Sequence, residues 1–349
     1  MPMPLVDDPL APRIAVVGAT GAVGGTLLDV IEDRGLRYRA LHLLASARSA
    51  GREIRVGDRE YRVGELTGFH FGDADVVFFS AGHAVSRAWV PVAVAHGTLV
   101  IDNTFAFRMS ADVPLVVPQV NSAELDRRPA AGVIANPNSV TIPLVRVVQD
   151  VERRWGVRQI SVSTYQAASG SGHSGIEELQ EASRLALQDP QATMPAEEFS
   201  PGLAFNVVPQ IGRVLDDGFT LQERKLLQES RKILGLPGLD ITATCVRVPV
   251  VNGHSAAMWV ECLKPVDRAE LCLLLGGLPD VTVHGDGMHG DILTPATLGD
   301  PNHLHLGRIR ISPTNPNSFL LWLVTDNLRV GAALNALQIM ETLVAKGHL

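Results

Sequence analysis

The sequence predicts an α/β protein in two parts. A parallel sheet flanked by helices comes first, then a second α/β domain whose sheet is mixed and mainly antiparallel. Three observations predict this. A buried-strand run, Arg13-Ile14-Ala15-Val16-Val17, leads directly into a glycine-rich turn and a helical pattern. More apolar runs of strand length follow at the spacing of strand–helix–strand units. From residue 159 onward the runs alternate in character instead, as half-buried strands do.

The chain of 349 residues has room for two domains. A hydrophobic content of 46% and a charged fraction of 19% fit a globular protein. A net charge of -7 and the lack of a Lys/Arg run speak against nucleic acid as a partner. The first twelve residues show neither a basic nor an apolar signal region, and no apolar run reaches membrane-spanning length. Cys245, Cys262 and Cys272 make no metal spacing and no disulfide framework. The expectation is a cytoplasmic protein without a metal.

The turn after the first strand reads Gly18-Ala19-Thr20-Gly21-Ala22-Val23-Gly24, and residues 26–31 continue as a helix. Strand, glycine turn and helix in this order form the phosphate cradle of a Rossmann-type dinucleotide domain, here with G-x-x-G-x-x-G spacing. Gly18, Thr20, Gly21, Ala22, Val23 and Gly24 are therefore candidate cofactor residues. The second strand, 40–45, ends in Ser46-Ala47-Arg48-Ser49 instead of an acidic residue. Hydroxyls and an arginine suit a ribose 2′-phosphate, so Ser46, Arg48 and Ser49 point to NADP over NAD.

Strands at 75–80 and 99–102 end in polar residues, where open α/β sheets bind ligands. Residues 114–118 form a shorter apolar run, and 130–135 close the first domain. There the chain reads Asn136-Pro137-Asn138-Ser139-Val140-Thr141-Ile142-Pro143 and enters a helical pattern. The amides of a helix N-terminus favour negative charge, so Ser139 occupies a nucleophile's position. The plainer alternative is a turn in which Asn138 or Ser139 caps the helix.

In the second half, 159–165 is extended and 175–188 helical. Residues 220–234 form a charged helix opened by a Thr220/Glu223 capping box. The runs 241–251 and 256–263 read as strands whose alternation suggests a half-buried antiparallel sheet. Residues 266–275 read as a helix, and 308–311 and 319–324 as strands. A long helix, 330–345, ends the chain.

Ordered words across nearly the whole chain resemble the aspartate-β-semialdehyde dehydrogenase family. They run from Gly18-Ala-Thr-Gly-Ala-Val-Gly24 through Ser46-Ala-Arg-Ser-Ala-Gly51, Asp102-Asn-Thr-Phe-Ala-Phe-Arg-Met109 and Asn136-Pro-Asn138. Ser163-Thr-Tyr-Gln166, Arg231-Lys-Ile-Leu234, Cys245-Val-Arg-Val-Pro-Val250, Gly253-His-Ser255 and Asn327-Leu-Arg-Val-Gly-Ala-Ala-Leu-Asn-Ala336 continue them. The family converts β-aspartyl phosphate to aspartate semialdehyde with NADPH; a cysteine displaces phosphate and the resulting thioester accepts hydride. The resemblance implies a dinucleotide domain of residues 1–138 completed by a C-terminal helix at 328–349. It implies a catalytic and dimerisation domain at 139–327, and a homodimer or dimer of dimers acting on small molecules.

Carried over by position, the resemblance makes His254 the acid/base and Arg247 the group that holds the substrate carboxylate. It assigns the substrate amine to Glu229 and phosphate to Lys232 and Arg108. Gln166 would orient substrate beside the nucleophile and Asn138 would hold the acyl oxygen. Ser169, Gly170 and Asn327 join the cofactor set.

The departures are as specific as the matches. The family word is Asn-Pro-Asn-Cys followed by Ser or Thr; here it is Ser139-Val140. His83 and Ala84 replace a glycine and a serine, and Phe105 replaces a small residue. A cysteine ionises near a pKa of about 8.5; a serine hydroxyl is far less acidic and needs a strong base. Three readings follow: a dehydrogenase crippled by Ser139, a ligand-binding or regulatory paralogue, and a serine-based acyl transferase or acyl-phosphate hydrolase.

Overall fold

A computed structural model describes residues 11–189, 193, 195–285 and 292–349; most of the proline-rich amino terminus lies outside them. The chain divides into two compact units, residues 1–138 with 332–349, and residues 139–331.

The first unit is built on a six-stranded parallel sheet. Its elements are β1 (Arg13–Val17), α1 (Ala22–Asp33), β2 (Ala40–Ala45), a hairpin of β3 (Glu53–Val56) and β4 (Arg59–Arg62), β5 (Gly64–Glu65), β6 (Val76–Phe79), α2 (His83–Ala95), β7 (Leu99–Asp102), α3 (Pro118–Asn121) and β8 (Val133–Ala135). The strand order is β5-β2-β1-β6-β7-β8. β1, β6 and β7 are almost wholly buried, which is why they read as unbroken apolar runs: helices cover both faces of a parallel sheet. The run at 114–118 makes only a single bridge, Leu115 to Ala135, because Pro114 and Pro118 limit ladder pairing.

The second unit runs α4 (Thr141–Trp155), β9 (Val157–Gln166), α5 (Gly172–Gln188), α6 (Leu221–Leu234), β10 (Asp240–Arg247), β11 (His254–Cys262), α7 (Arg268–Gly276), β12 (Val281–Val283), β13 (Leu304–Ile311) and β14 (Ser318–Thr325). Its sheet has the order β10-β9-β11-β14-β13-β12. The antiparallel expectation holds for β11, which pairs antiparallel with β9 and β14, and not for β10. β10 pairs parallel with β9, and β9 separates it from β11. Alternation fixes which face of a strand is buried but is silent on which strand lies beside it. α4, α6 and α7 pack on one face of this sheet. Ser161, Tyr165, Ala257, Trp259 and Trp322 leave the other face exposed or half-buried.

The final helix, α8 (Leu334–Ala345), is entered through a π-helical turn, Arg329–Ala333. It packs on α1, α3 and β7. Its buried Asn335 donates to Val116 O at 2.9 Å and Asn136 Oδ1 at 2.6 Å, while Asn136 N–H donates to Asp102 O at 2.8 Å. The last helix thus fixes the strand end from which the Asn136-Pro137-Asn138 turn departs.

Candidate functional site

In the first unit the glycine turn is built for close approach. A Cβ on Gly18, whose φ is +87°, would lie 2.7 Å from Ser80 O, and one on Gly24 would lie 2.1 Å from Gly18 O. α1 has no side-chain cap and no acidic residue in its first turn. The amides of Ala22, Val23 and Gly24 therefore lack intrahelical partners and face any group placed over the turn. Thr20 and Gly21 complete the curve. At the end of β2, Ser46 and Arg48 are exposed and Ser49 is buried. This cradle fits a dinucleotide: amide donors over β1, and hydroxyls with a guanidinium over β2. Arg108, also in this unit, is 6% exposed and donates from Nη2 to Asn103 O at 2.8 Å.

In the second unit, strand register gathers the remaining candidates. Gln166 ends β9 opposite Arg247, which ends β10, and His254 opens β11 opposite Thr325. His254 is buried. Its Nδ1 accepts a hydrogen bond from Ala167 N–H at 3.1 Å, and its Nε2 has no hydrogen-bond partner among the described residues. Burial first, and the nearby Arg247 charge second, hold its pKa well below the usual histidine value. The ring is therefore neutral at pH 7. Since Nδ1 is the acceptor, the proton sits on Nε2.

Arg247 donates from Nη1 to Ala167 O at 2.6 Å and lies over the Phe199 ring at 5.4 Å. Burial lowers its pKa to about 10, which leaves it charged at neutral pH. Gly170 marks where the two groups meet. A Cβ there would fall 2.6 Å from Arg247 Nη1 and 3.3 Å from His254 Nε2. Gln166 donates to Thr164 Oγ1 at 3.1 Å and accepts from Gln222 on α6 at 3.4 Å. Farther along α6, Glu229 is buried and Lys232 is half-buried.

Ser139 sits in the turn before α4 and is not its cap. The capping position is Val140, which has no side-chain bond to offer. Gly331 packs directly on Ser139; a Cβ on it would lie 2.7 Å from Ser139 Cβ. Val140, Thr164, Leu226, His254 and Thr325 line one small cavity of about 10 Å³, which is the room one water needs. Asn138 lies at the end of the first unit, half-buried.

Asn327 and Ser169 are hydrogen-bonded to each other inside the second unit. Asn327 Oδ1 accepts from Gly253 N–H at 3.0 Å and its Nδ2 donates to Ser169 Oγ at 3.0 Å. Ser169 Oγ in turn bonds Asn252 Oδ1 at 2.9 Å, and Asn252 donates to Asp326 Oδ2 at 2.9 Å. Both side chains are 2% exposed, so their amide and hydroxyl groups are used inside this unit. The network braces the Gly253-His254 corner. Sequence reading missed Asn252 and Asp326. The signal for Asp326 was present, because its carboxylate receives Leu328 and Arg329 N–H as a helix-capping Asp does.

Among the described residues, no group of three or more His, Cys, Asp or Glu is placed to hold a metal, and no helix is long and apolar enough to cross a membrane.

Residues 13–128 match the semialdehyde dehydrogenase NAD-binding domain, and residues 151–330 match the semialdehyde dehydrogenase dimerisation domain. The chain is 40% identical over 348 residues to aspartate-semialdehyde dehydrogenase of Bacillus subtilis, covering 95% of this chain and 97% of that one. A crystal structure of aspartate semialdehyde dehydrogenase II from Vibrio cholerae, complexed with ASA, superposes with a TM-score of 0.92 at 37% identity. The match covers 96% of this chain and 98% of that chain. A probable aspartate-semialdehyde dehydrogenase from Pseudomonas aeruginosa has a TM-score of 0.89 at 32% identity, over 95% and 98% of the two chains.

Proposed function

The chain belongs to the aspartate-semialdehyde dehydrogenase family, and from that premise we propose that it carries the family's NADP and aspartyl-phosphate sites with acyl transfer severely slowed at Ser139. The observation that carries this reading is the meeting of His254 Nε2–H and the Arg247 guanidinium at Gly170. One is a neutral, buried hydrogen-bond donor; the other is a buried cation. An acyl oxygen and a carboxylate a few ångströms apart on one substrate need that pair. Arg247 would bind the carboxylate, for which a planar guanidinium is suited. Glu229 would bind the substrate amine, and Lys232 and Arg108 the phosphate. Gln166 and Asn138 would hold the acyl group at Ser139. The cofactor, held by the Gly18–Gly24 turn with Ser46, Arg48 and Ser49, supplies the hydride when bound.

Serine is the weak point of this arrangement. A hydroxyl at the start of a helix stays protonated at neutral pH where a thiol can ionise. His254 in its present tautomer offers a proton at Nε2 and has no free lone pair there to take one. The same fact speaks against serine-based hydrolysis. Cys245 does not replace the lost thiol, since burial raises its pKa to about 11.

The Ser139→Cys variant is expected to reduce NADP with aspartate semialdehyde in a phosphate-dependent reaction. The unsubstituted protein should be slower by several orders of magnitude, the loss expected of a nucleophile that does not ionise. A Ser139→Cys protein without activity overturns this proposal. It would favour the second reading, a ligand-binding paralogue, which the paired departures His83 and Phe105 support: their rings stack on one another at 4.6 Å.

A further inference from the structure

His83 and Phe105 stand at the ends of adjacent strands. His83 opens α2 just after β6, and Phe105 follows β7. Their ring centroids are 4.6 Å apart and their planes 27° apart. Both residues are exposed, Phe105 at 39%. Core closure therefore does not account for them. The loops that bear them are firmly tied. Asn103 Nδ2 donates to Ser80 Oγ at 2.7 Å, joining the end of β7 to the end of β6. The buried Asp102 carboxylate accepts from Ser86 Oγ at 2.9 Å and from Thr104 N–H at 3.0 Å and Oγ1 at 2.9 Å. The stack is thus held in place before any ligand arrives.

Its position in the sheet indicates the occupant. The chain passes from β1 to β2 on one side, then returns to β6 on the other. A dinucleotide lies across the carboxyl ends of the strands where the order reverses, with its pyrophosphate at the β1–α1 turn. The half bearing the 2′-phosphate belongs over β2, beside Ser46, Arg48 and Ser49. The other half belongs over β6 and β7, where the two rings stand. Ser80 O, only 2.7 Å from a Cβ on Gly18, shows that the β6 end borders the phosphate turn directly.

We propose that the stacked His83 and Phe105 rings form a binding wall for the nicotinamide-ribose half of NADP. This rests on the reading of the first unit as an NADP domain. An aromatic face packs against a flat heterocycle and also attracts a cationic ring such as oxidised nicotinamide.

Calorimetric titration of the whole protein with NADP⁺ and with 2′,5′-ADP, which lacks the nicotinamide half, tests it without requiring turnover. Phe105→Ala and His83→Ala are each expected to weaken NADP⁺ by about three- to tenfold, the size of a ring-stacking contribution, with 2′,5′-ADP binding unchanged. Arg48→Ala should weaken both ligands. Unchanged or tighter NADP⁺ binding in the ring variants overturns the inference, as does an equal loss for both ligands. If the unsubstituted protein binds neither ligand, the NADP reading itself falls and the wall with it. Phe105→Leu, which keeps apolar bulk but removes the ring, should lose NADP⁺ affinity as Phe105→Ala does; retention of affinity would also overturn the inference.

Discussion

His254 shows how one backbone amide sets the chemistry of a side chain. The Ala167 N–H occupies Nδ1, so the neutral ring can only present a proton at Nε2. Burial and Arg247 keep it neutral. The consequence for stability has a definite sign. The unfolded chain binds a proton at this histidine below a pH of about 6.5, whereas the folded protein does not. Folding stability therefore falls as pH drops below that value, and this contribution is flat above it. His254→Gln should narrow the difference between urea midpoints measured at pH 7 and pH 5. An unaltered difference would mean that the folded protein does not hold the pKa of His254 below its unfolded value. Gly170 and Gly331 act at the same scale, by leaving room. The first lets the loop reach His254 and Arg247, and the second lets the π-helical turn lie on Ser139.

At the scale of elements, α6 carries Glu229 and Lys232, so whatever fixes that helix fixes them. Its capping box is complete. Thr220 N–H donates to Glu223 Oε2 at 2.7 Å and Glu223 N–H to Thr220 Oγ1 at 3.3 Å. Glu223 also accepts from Cys245 N–H at 3.0 Å through its other oxygen, which ties the helix start to the strand that ends in Arg247. The far end closes on Gly235 in the left-handed conformation, with its N–H turned back to the last carbonyls. Thr220→Ala should cost about 1 kcal/mol of stability, the usual loss of a helix cap. Glu223→Ala should cost about 2–4 kcal/mol, because it leaves two buried amides unpaired. Urea titration of the two variants distinguishes these sizes; equal losses would show that the bond to Cys245 contributes nothing.

For the whole molecule, the second sheet poses the question of what covers its open face. Tyr165 and Trp322 pack against each other there with centroids 5.5 Å apart. Ala257, Arg308, Arg310 and Trp322 line a cavity of about 510 Å³ on this same side. Strand alternation puts that cavity opposite His254, whose cavity is lined by Ala256 and Met258 instead. The match of residues 151–330 to a dimerisation domain makes a second copy of the chain the expected occupant. Sedimentation should give a dimer, and Trp322→Asp should shift it toward monomer with the secondary structure intact. A monomer in the unsubstituted protein would refute this assignment of the face.

The sequence by itself determined the class of each half and its local turns and caps. The glycine turn, the apolar strand runs and the Thr220/Glu223 box are local signals, set by backbone geometry within a few residues, and the structure contains each of them. The Asn136–Ser139 turn is local too. Tertiary structure decided what depends on contacts between distant segments. β10 lies beside β9 because packing selects the neighbour, and alternation does not encode it. Asn327 and Ser169 join a buried polar network that runs from Asn252 to Asp326. The proton on His254 depends on an amide 87 residues away in the chain, and the meeting of His83 with Phe105 depends on two strands lying side by side. Each of these is a desolvated or ring contact whose partner is chosen by the fold, and no pattern within either segment names that partner.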